Sequence, residues 1–118
     1  MARLTSQIFV ASLIRQINQA GGNALIARKG SSESGAIYIS RYSADNRTHH
    51  LYEPAIGEAP IETYLGGRVF RERQADMTEL DISEWLERES RFDPDCWLVE
   101  IEHCPLPIER LISLIDAV

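Results

Sequence analysis

Residues 89–102, ESRFDPDCWLVEIE, place five carboxylates, an arginine and a tryptophan around one proline. Asp93, Asp95 and Glu100 are of a type that can exchange protons with a substrate or bind a divalent metal ion through oxygen. Such an enzyme needs its carboxylates to meet in a concave pocket, with at least one perturbed pKa. If these three converge, the segment predicts a small metal-dependent hydrolase-type enzyme.

The same segment also has an interpretation without a reaction. Glu87 and Arg91 are spaced i, i+4 with glutamate leading, as are Glu84 and Arg88, and this order favours ion pairs along a helix. Asp93-Pro94-Asp95 is typical of a turn, because aspartate bonds to nearby backbone and proline fixes φ. We therefore predict a charged helix end that turns into a strand, and we assign no catalytic residue. The candidates for ligand or partner binding are Arg88, Arg91, Asp93, Asp95 and Glu100.

Other chemical motifs are weak. His49-His50 and His103-Cys104 contain zinc-type ligands, but neighbouring strand residues point to opposite faces, so each pair offers one ligand to any one site. A structural zinc site usually shows two tight ligand pairs such as CxxC, which the sequence lacks. A PD…(D/E)xK nuclease is rejected because Glu102 stands where the lysine belongs. No GxGxxG, P-loop, HExxH or GxSxG motif occurs, and we predict no cofactor and no metal.

Composition and charge limit the partners. With 118 residues, 44% of them hydrophobic, the chain is predicted to form one domain over residues 1–118 with a substantial core. Residues 1–59 carry six basic and four acidic side chains, whereas residues 60–118 carry six and fourteen. The acidic half repels phosphate, which argues against nucleic-acid binding. The opposite charges of the halves could attract each other in a homodimer.

Localisation and redox state follow from the apolar runs and the cysteines. No apolar run approaches the roughly 20 residues that a membrane span needs, and the N-terminal segment has helical periodicity rather than the pattern of a signal peptide. We therefore predict a cytoplasmic protein with no membrane partner. Cys96 and Cys104 are interpreted as two reduced thiols, one or both of them packed as small hydrophobes, with a redox pair as the alternative.

Hydrophobic periodicity predicts the elements that must position these residues. The predicted order is αβββ, a loop, then βαβα, with helices at 6–20, 78–90 and 108–117, strands at 23–28, 36–42, 47–52, 67–73 and 96–102, and the loop at 53–66. The first two strands are predicted to form a hairpin and the first three an antiparallel meander.

The predicted fold class is α+β, with a mostly antiparallel sheet of about five strands and helices packed largely on one face. In the second helix, Leu80, Trp85 and Leu86 are the buried candidates. In the last strand, alternation places Trp97, Val99 and Ile101 on one face and Glu100 on the other. The sheet could also carry a basic region, formed by Arg28, Lys29, Arg41 and Arg71.

Several segments together resemble a known family. They are the early helix IFVASLIRQ, the segment ARKGSSESGAIYI, and the block ERESRFDPD leading into WLVEIE. Over roughly residues 3–102 the chain resembles an uncharacterised family of small alphaproteobacterial proteins, catalogued as a domain of unknown function. Cys96 stands where a larger apolar residue is expected, and the tail from Leu106 looks individual. The resemblance implies a small soluble bacterial protein, and it transfers neither an activity nor catalytic residues.

Two hypotheses about function remain. The first is a small cytoplasmic, non-enzymatic binding or protein-interaction module, either a monomer or a homodimer. The alternative is the hydrolase-type enzyme that uses Asp93, Asp95 and Glu100 with a divalent metal. The two differ in one respect, since the enzyme needs these carboxylates gathered in a pocket and the binding module does not.

Overall fold

The structure is a computed structural model that describes residues 3–115. Over these residues it is an α+β fold with two α-helices and one six-stranded sheet. The α-helices are α1 (Ser6–Gln19) and α2 (Glu79–Phe92), and the strands are β1 (Asn23–Arg28), β2 (Ile37–Ser43), β3 (Thr48–Pro54), β4 (Val69–Met77), β5 (Trp97–His103) and β6 (Ser113–Leu114). Short 3-10 helices lie at Ile61–Thr63, Leu65–Gly67 and Ile108–Arg110.

Helix α1 forms as its sequence predicts. The Thr5 hydroxyl caps it by accepting a hydrogen bond from the Ile8 N–H at 3.4 Å. Phe9, Leu13 and Ile17 recur every four residues, and all three are buried. Gly21, at φ +87°, ends the helix in the left-handed conformation that glycine adopts without strain.

Helix α2 begins with a capping box. The Thr78 hydroxyl accepts a hydrogen bond from the Asp81 N–H at 3.0 Å, and the Asp81 carboxylate accepts one from the Thr78 N–H at 2.9 Å. Trp85 is buried as predicted and Leu86 is half-buried. The predicted burial of Leu80 is wrong, because Ile82 occupies the inner face one turn in and leaves Leu80 65% exposed.

The sheet has the strand order β1-β5-β2-β3-β4-β6 and is mixed. Strand β5 is antiparallel to β1 but parallel to β2, and β6 is parallel to β4. The predictions of a mostly antiparallel sheet and of a β1–β2 hairpin are therefore wrong. Of the predicted meander, only the antiparallel pairing of β2 with β3 is present, and it continues from β3 to β4.

The loop between β1 and β2 explains why they do not pair. The Ser31 N–H bonds to the Asp95 carbonyl at 2.9 Å, and the Trp97 N–H bonds to the Ala36 carbonyl at 2.7 Å. A Cβ at Gly30 would collide with the Asp95 carbonyl oxygen. The loop therefore closes over the start of β5 and spreads β1 and β2 far enough apart to receive that strand.

The two helices cover opposite faces of the sheet, which corrects the prediction that they lie largely on one face. Trp97, Val99 and Ile101 of β5 pack in one core with α1. Leu98, on the other side of the same strand, packs in a second core with Trp85 of α2. The split follows from the period of two in a strand, since β5 is apolar on both faces at its buried end.

The predicted C-terminal helix over residues 108–117 is also wrong. Ile108–Arg110 form one 3-10 turn, and Ser113–Leu114 pair with β4 as β6. Ile108, Leu111 and Ile112 are nevertheless buried against the α1 side of the sheet, so their apolar spacing reflects burial without a helical backbone. Residues 116 and 117 of that prediction lie outside the described residues.

Candidate functional site

The charged helix end predicted at Arg88, Arg91, Asp93 and Asp95, here called the polar corner, lies at the surface where α2 turns into β5. The Asp93 carboxylate accepts a hydrogen bond from the Asp95 N–H at 3.1 Å, as in an Asx turn. Arg91 and Glu87 form the expected i, i+4 pair at 3.1 Å, with both side chains 72% exposed. Arg88 is also exposed, and no ion pair joins it to Glu84 in the part of the chain that the structure describes. The corner is therefore held by turn and helix-end contacts.

Glu100 lies apart from this corner. It stands three residues into β5 from Trp97, about 10 Å along the strand at 3.3 Å per residue. There it lines a cavity of about 420 Å³ with Ser40, His49 and Glu79, next to α2. Burial raises the pKa of the Glu100 carboxyl, and Glu102 and Glu79 raise it further against the opposing effect of His49.

The three carboxylates of the hydrolase hypothesis therefore do not meet. Glu100 lines a cavity inside the fold, whereas Asp93 and Asp95 belong to the surface turn. Among residues 3–115, no three His, Cys, Asp or Glu side chains are arranged to hold a metal ion. His49 and His50 diverge as expected: His49 packs near the Tyr42 ring at 5.1 Å, whereas His50 bonds to Glu72 at 2.6 Å. This arrangement gives the hydrolase hypothesis no support.

The basic residues of the sheet do not form one region. Arg41 donates to the carbonyls of Cys104 and Leu106 at 3.2 and 2.7 Å on the α1 side. Arg71 pairs with Glu53 at 2.6 Å, and Arg28 donates to the Pro94 carbonyl at 2.8 Å. Three of the four basic residues are thus occupied by contacts within the fold, and Lys29 is exposed.

Both cysteines are free thiols, as the sequence predicts. Cys96 is fully buried, and burial raises the pKa of its thiol. Cys104 is half-buried and packs against the core on the α1 side. Both cysteines therefore act here as small apolar residues.

A further candidate site is a cavity of about 250 Å³ under the loop of residues 55–68, which joins β3 to β4. We call it the loop cavity. Its walls come from the loop, the ends of β2, β3 and β4, and the N-terminal segment, and its lining residues include Arg3, Ile37, Ile56, Ile61, Tyr64, Arg68 and Phe70.

Hydrogen bonds within the loop hold this cavity open. The Tyr64 hydroxyl accepts a bond from the Ala59 N–H at 3.2 Å, and the Thr63 hydroxyl donates to the Pro60 carbonyl at 2.7 Å. The Leu65 N–H donates to the Ser113 hydroxyl at 2.8 Å, which ties the loop to β6. The loop thus has a defined shape without a ligand, as small-molecule sites usually do.

The outer part of the loop cavity is apolar and exposed. Ile56 is 95% exposed and Ile61 40% exposed, although both are large hydrophobic residues. Single exposed hydrophobics are ordinary on protein surfaces. Two of them lining the same cavity, beside Tyr64, make a surface suited to an apolar group.

Arg68 forms the charged part of the loop cavity and is only 5% exposed. One of its terminal nitrogens donates to the Leu4 carbonyl at 2.9 Å and to the Ser6 hydroxyl at 3.1 Å. Its guanidinium carbon lies 5.6 Å from the centre of the Phe9 ring. Arg68 is therefore a buried cation at the junction of the N-terminal segment and β4.

Sequence reasoning missed this site, although a signal was present. The predicted strand over residues 67–73 already placed Arg68 and Phe70 on the same face. Since Phe70 is a core residue, 1% exposed, the same alternation puts the neighbouring arginine inside the protein. The loop predicted at residues 53–66 has no periodic pattern that would indicate a cavity.

Comparison with known proteins links most of the chain to one family. Residues 4–106 match the family described as Protein of unknown function (DUF1491). A search of the curated proteins finds no match. Neither helix within residues 3–115 is long and apolar enough to cross a membrane.

Three solved structures are similar to this fold. A solution structure of a protein from A. tumefaciens is 37% identical, with a TM-score of 0.79 over 99% of this chain and 98% of that one. A crystal structure of a DUF1491 family protein from Caulobacter crescentus is 31% identical, with a TM-score of 0.71 over 86% and 88% of the two chains. An NMR structure of a DUF1491 family protein from the same organism is 29% identical, with a TM-score of 0.75 over 98% and 99%.

Proposed function

Since the chain belongs to the DUF1491 family of proteins of unknown function, we propose a function from the geometry of its own site. The protein is a small cytoplasmic binding module, without catalysis, that takes a small ligand into the loop cavity. The resemblance described from the sequence and the matched family agree on residues 4–102 and supply no activity to transfer.

The observation that carries this proposal is the self-supported loop over a cavity with an apolar rim. In this loop of fourteen residues, the Ile56 side chain is 95% exposed beside the opening of the cavity. Burying an isoleucine is worth roughly 1.5–3 kcal/mol. A ligand that covers Ile56 and Ile61 recovers part of this free energy.

A thermal-unfolding screen against common metabolites tests the proposal. A ligand that binds only the folded protein raises the free energy of unfolding by about 2.7 kcal/mol at a hundredfold excess over its Kd. We expect at least one metabolite to raise Tm, and the exposed variant Ala59→Trp to abolish the rise by filling the loop cavity. The matched control is Ala11→Trp, an exposed alanine of α1 that does not line the loop cavity and should leave the rise unchanged.

Two results would contradict the proposal. One is a screen in which no metabolite moves Tm. The other is a set of Tm rises that persist in Ala59→Trp, because the ligand would then bind elsewhere. The screen should include Mg²⁺ and Mn²⁺, since a rise with either metal that Glu100→Gln removes would favour the hydrolase hypothesis instead.

A further inference from the structure

We propose that the loop cavity binds a small organic monoanion, a carboxylate carried on an apolar body, with Arg68 and Arg3 as its charged partners. This inference rests on the proposed function and names the chemical class of the ligand. It is carried by a buried arginine without an acidic partner among the described residues, a second arginine beside it, and the apolar lining of the cavity that both of them border.

Arg68 is a buried cation whose charge is not neutralised by the described residues. No carboxylate among residues 3–115 forms an ion pair with its guanidinium. Its Nε is buried and has no hydrogen-bond partner there. Buried charges are normally paired, because an unpaired charge removed from water is costly. An anion within reach of this guanidinium would supply the missing pairing.

Arg3 makes the local charge more positive instead of balancing it. It is exposed and lines the same cavity, and its backbone packs against Gly67, next to Arg68. Burial and the positive charge of Arg3 together lower the pKa of Arg68 to about 10. Two cations beside one cavity produce a field that attracts an anion.

Among residues 3–115, no acidic side chain lines the loop cavity and competes for this charge. Glu58 and Glu62 belong to the same loop, but both are exposed and neither is among the lining residues. A ligand carboxylate would therefore meet the two arginines without a protein carboxylate in between. Arginine suits this role because its planar fork can bind a carboxylate through two parallel hydrogen bonds.

The rest of the cavity selects the body of the ligand. Ile37, Val69 and Phe70 give it an apolar floor, and Ile56 and Ile61 an apolar rim. Its volume is about 250 Å³, and both its floor and its rim are apolar. This space matches a small aromatic or branched carboxylic acid better than a nucleotide or a sugar phosphate.

A purely structural role explains only some of the contacts of the Arg68 side chain. Its hydrogen bonds to Leu4 and Ser6 fix the N-terminal segment. The Ser6 hydroxyl in turn donates a hydrogen bond to the Gly35 carbonyl at 2.6 Å. Those bonds use one terminal nitrogen and explain neither the unpaired Nε nor the proximity of Arg3. If the role is only structural, the protein should show no preference for anions.

Titrations followed by amide NMR distinguish these cases with three probes: phenylacetate, its neutral analogue phenylacetamide, and inorganic phosphate. We expect phenylacetate to shift amides of the loop cavity, with binding at least tenfold tighter than that of either other probe. Arg3→Gln should weaken phenylacetate binding about fivefold or more without affecting folding. The matched control is Arg15→Gln on the exposed face of α1, which should leave the affinity unchanged.

Arg68 needs a separate variant because its removal could prevent folding. Arg68→Lys keeps the charge but loses the planar fork, so we expect a folded protein whose phenylacetate affinity falls by about tenfold. The inference is overturned if phenylacetamide or inorganic phosphate binds as tightly as phenylacetate, or if Arg3→Gln behaves like Arg15→Gln.

The outcomes also separate this inference from the proposed function. If a neutral metabolite binds in the loop cavity and phenylacetate does not, the anion inference fails while the binding function stands. If the Ala59→Trp variant leaves every binding event unchanged, both fail. No shift of any amide with phenylacetate, in a protein that is folded by its NMR spectrum, overturns the anion inference alone.

Discussion

Glu53 shows how a single residue on the sheet is tuned by its neighbours. Its side chain is 12% exposed, and its two oxygens accept bonds from Arg71 at 2.6 Å and from Arg73 at 2.9 Å. Burial alone would raise the pKa of Glu53, but the hydrogen bonds from Arg73 and Arg71 outweigh it and hold the pKa below its ordinary value. The carboxylate therefore stabilises the folded state in its ionised form.

The first prediction concerns the pH dependence of this contribution. Because the pKa is depressed on folding, the stabilisation is complete above the ordinary glutamate pKa of about 4.3 and is lost as the pH falls through the lower folded pKa. Glu53→Gln should cost about 1–2 kcal/mol at pH 7, a modest value because both arginines are half exposed.

The measurement is urea unfolding of the wild type and Glu53→Gln between pH 7 and pH 3, where the difference between them should shrink below pH 4.5. Glu87→Gln is the control, since Glu87 and its partner Arg91 are both 72% exposed and should contribute almost nothing. A difference that stays constant down to pH 3 would show that the ion pairs are not the source of the effect.

At the scale of elements, hydrogen bonds in the first turn of α2 fix where this helix begins. The reciprocal bonds of Thr78 and Asp81 satisfy two N–H groups that would otherwise lack partners. The shorter aspartate closes this box as well as the glutamate of the usual pattern. Helix α2 buries few side chains against the sheet, with only Ile82 and Trp85 fully inside, so its end contacts matter more than those of α1.

The second prediction is that Thr78→Ala lowers the free energy of unfolding by about 1 kcal/mol. Because the two bonds depend on one another, the double variant Thr78→Ala/Asp81→Ala should cost less than the sum of the single variants. Ser83→Ala, on the exposed side of the same helix, is the control and should be neutral or slightly stabilising. Strict additivity in chemical denaturation would contradict the reciprocal cap.

The elements were predictable wherever local patterns decide them, and the topology was not. The periodicity of Phe9, Leu13 and Ile17 predicts α1 almost to its ends, and alternation along β5 assigns both of its faces. The insertion of β5 between β1 and β2 depends on contacts such as that of Ser31 with Asp95, 64 positions apart, which no local pattern encodes. The apolar spacing near Ile108 fitted a helix, but pairing with β4 determined the backbone there.

The features of the candidate sites also divide into those that local sequence patterns predict and those that they do not. The turn chemistry of Asp93 and Asp95 could be predicted, because it involves neighbouring residues. The separation of Glu100 from that turn follows from strand length, which was also within reach of the sequence. The loop cavity could not be predicted from the sequence, because it brings Arg3 against Gly67 and Arg68, which lie more than sixty positions away. Burial of Arg68 was the one part that alternation alone could have indicated.

At the scale of the whole molecule, β5 connects every layer. Trp97 is 1% exposed in the core shared with α1, and its indole N–H donates to the Ser31 carbonyl at 2.8 Å in the β1–β2 loop. The next residue, Leu98, belongs to the core on the α2 side. A change in this strand therefore affects both faces of the sheet and the loop that closes over it.

The third prediction is that Trp97→Ala destabilises the protein by about 3–5 kcal/mol, as a large deletion in a packed core does. Phe92→Ala is the matched aromatic control, since Phe92 is 91% exposed and should change the free energy of unfolding by no more than about 0.5 kcal/mol. Urea unfolding followed by circular dichroism measures both. A loss below 1 kcal/mol for Trp97→Ala would mean that this strand does not form the centre of the fold.

The place of β5 in the sheet has a consequence for how the protein is made. A ribosome releases β1 and β2 more than fifty residues before the strand that belongs between them. During that interval both strands carry unpaired backbone groups on their facing edges, which is the condition under which growing chains associate wrongly. A nascent chain of this protein thus cannot complete its sheet in the order of synthesis. The gap between β1 and β2 stays unfilled until β5 has been made.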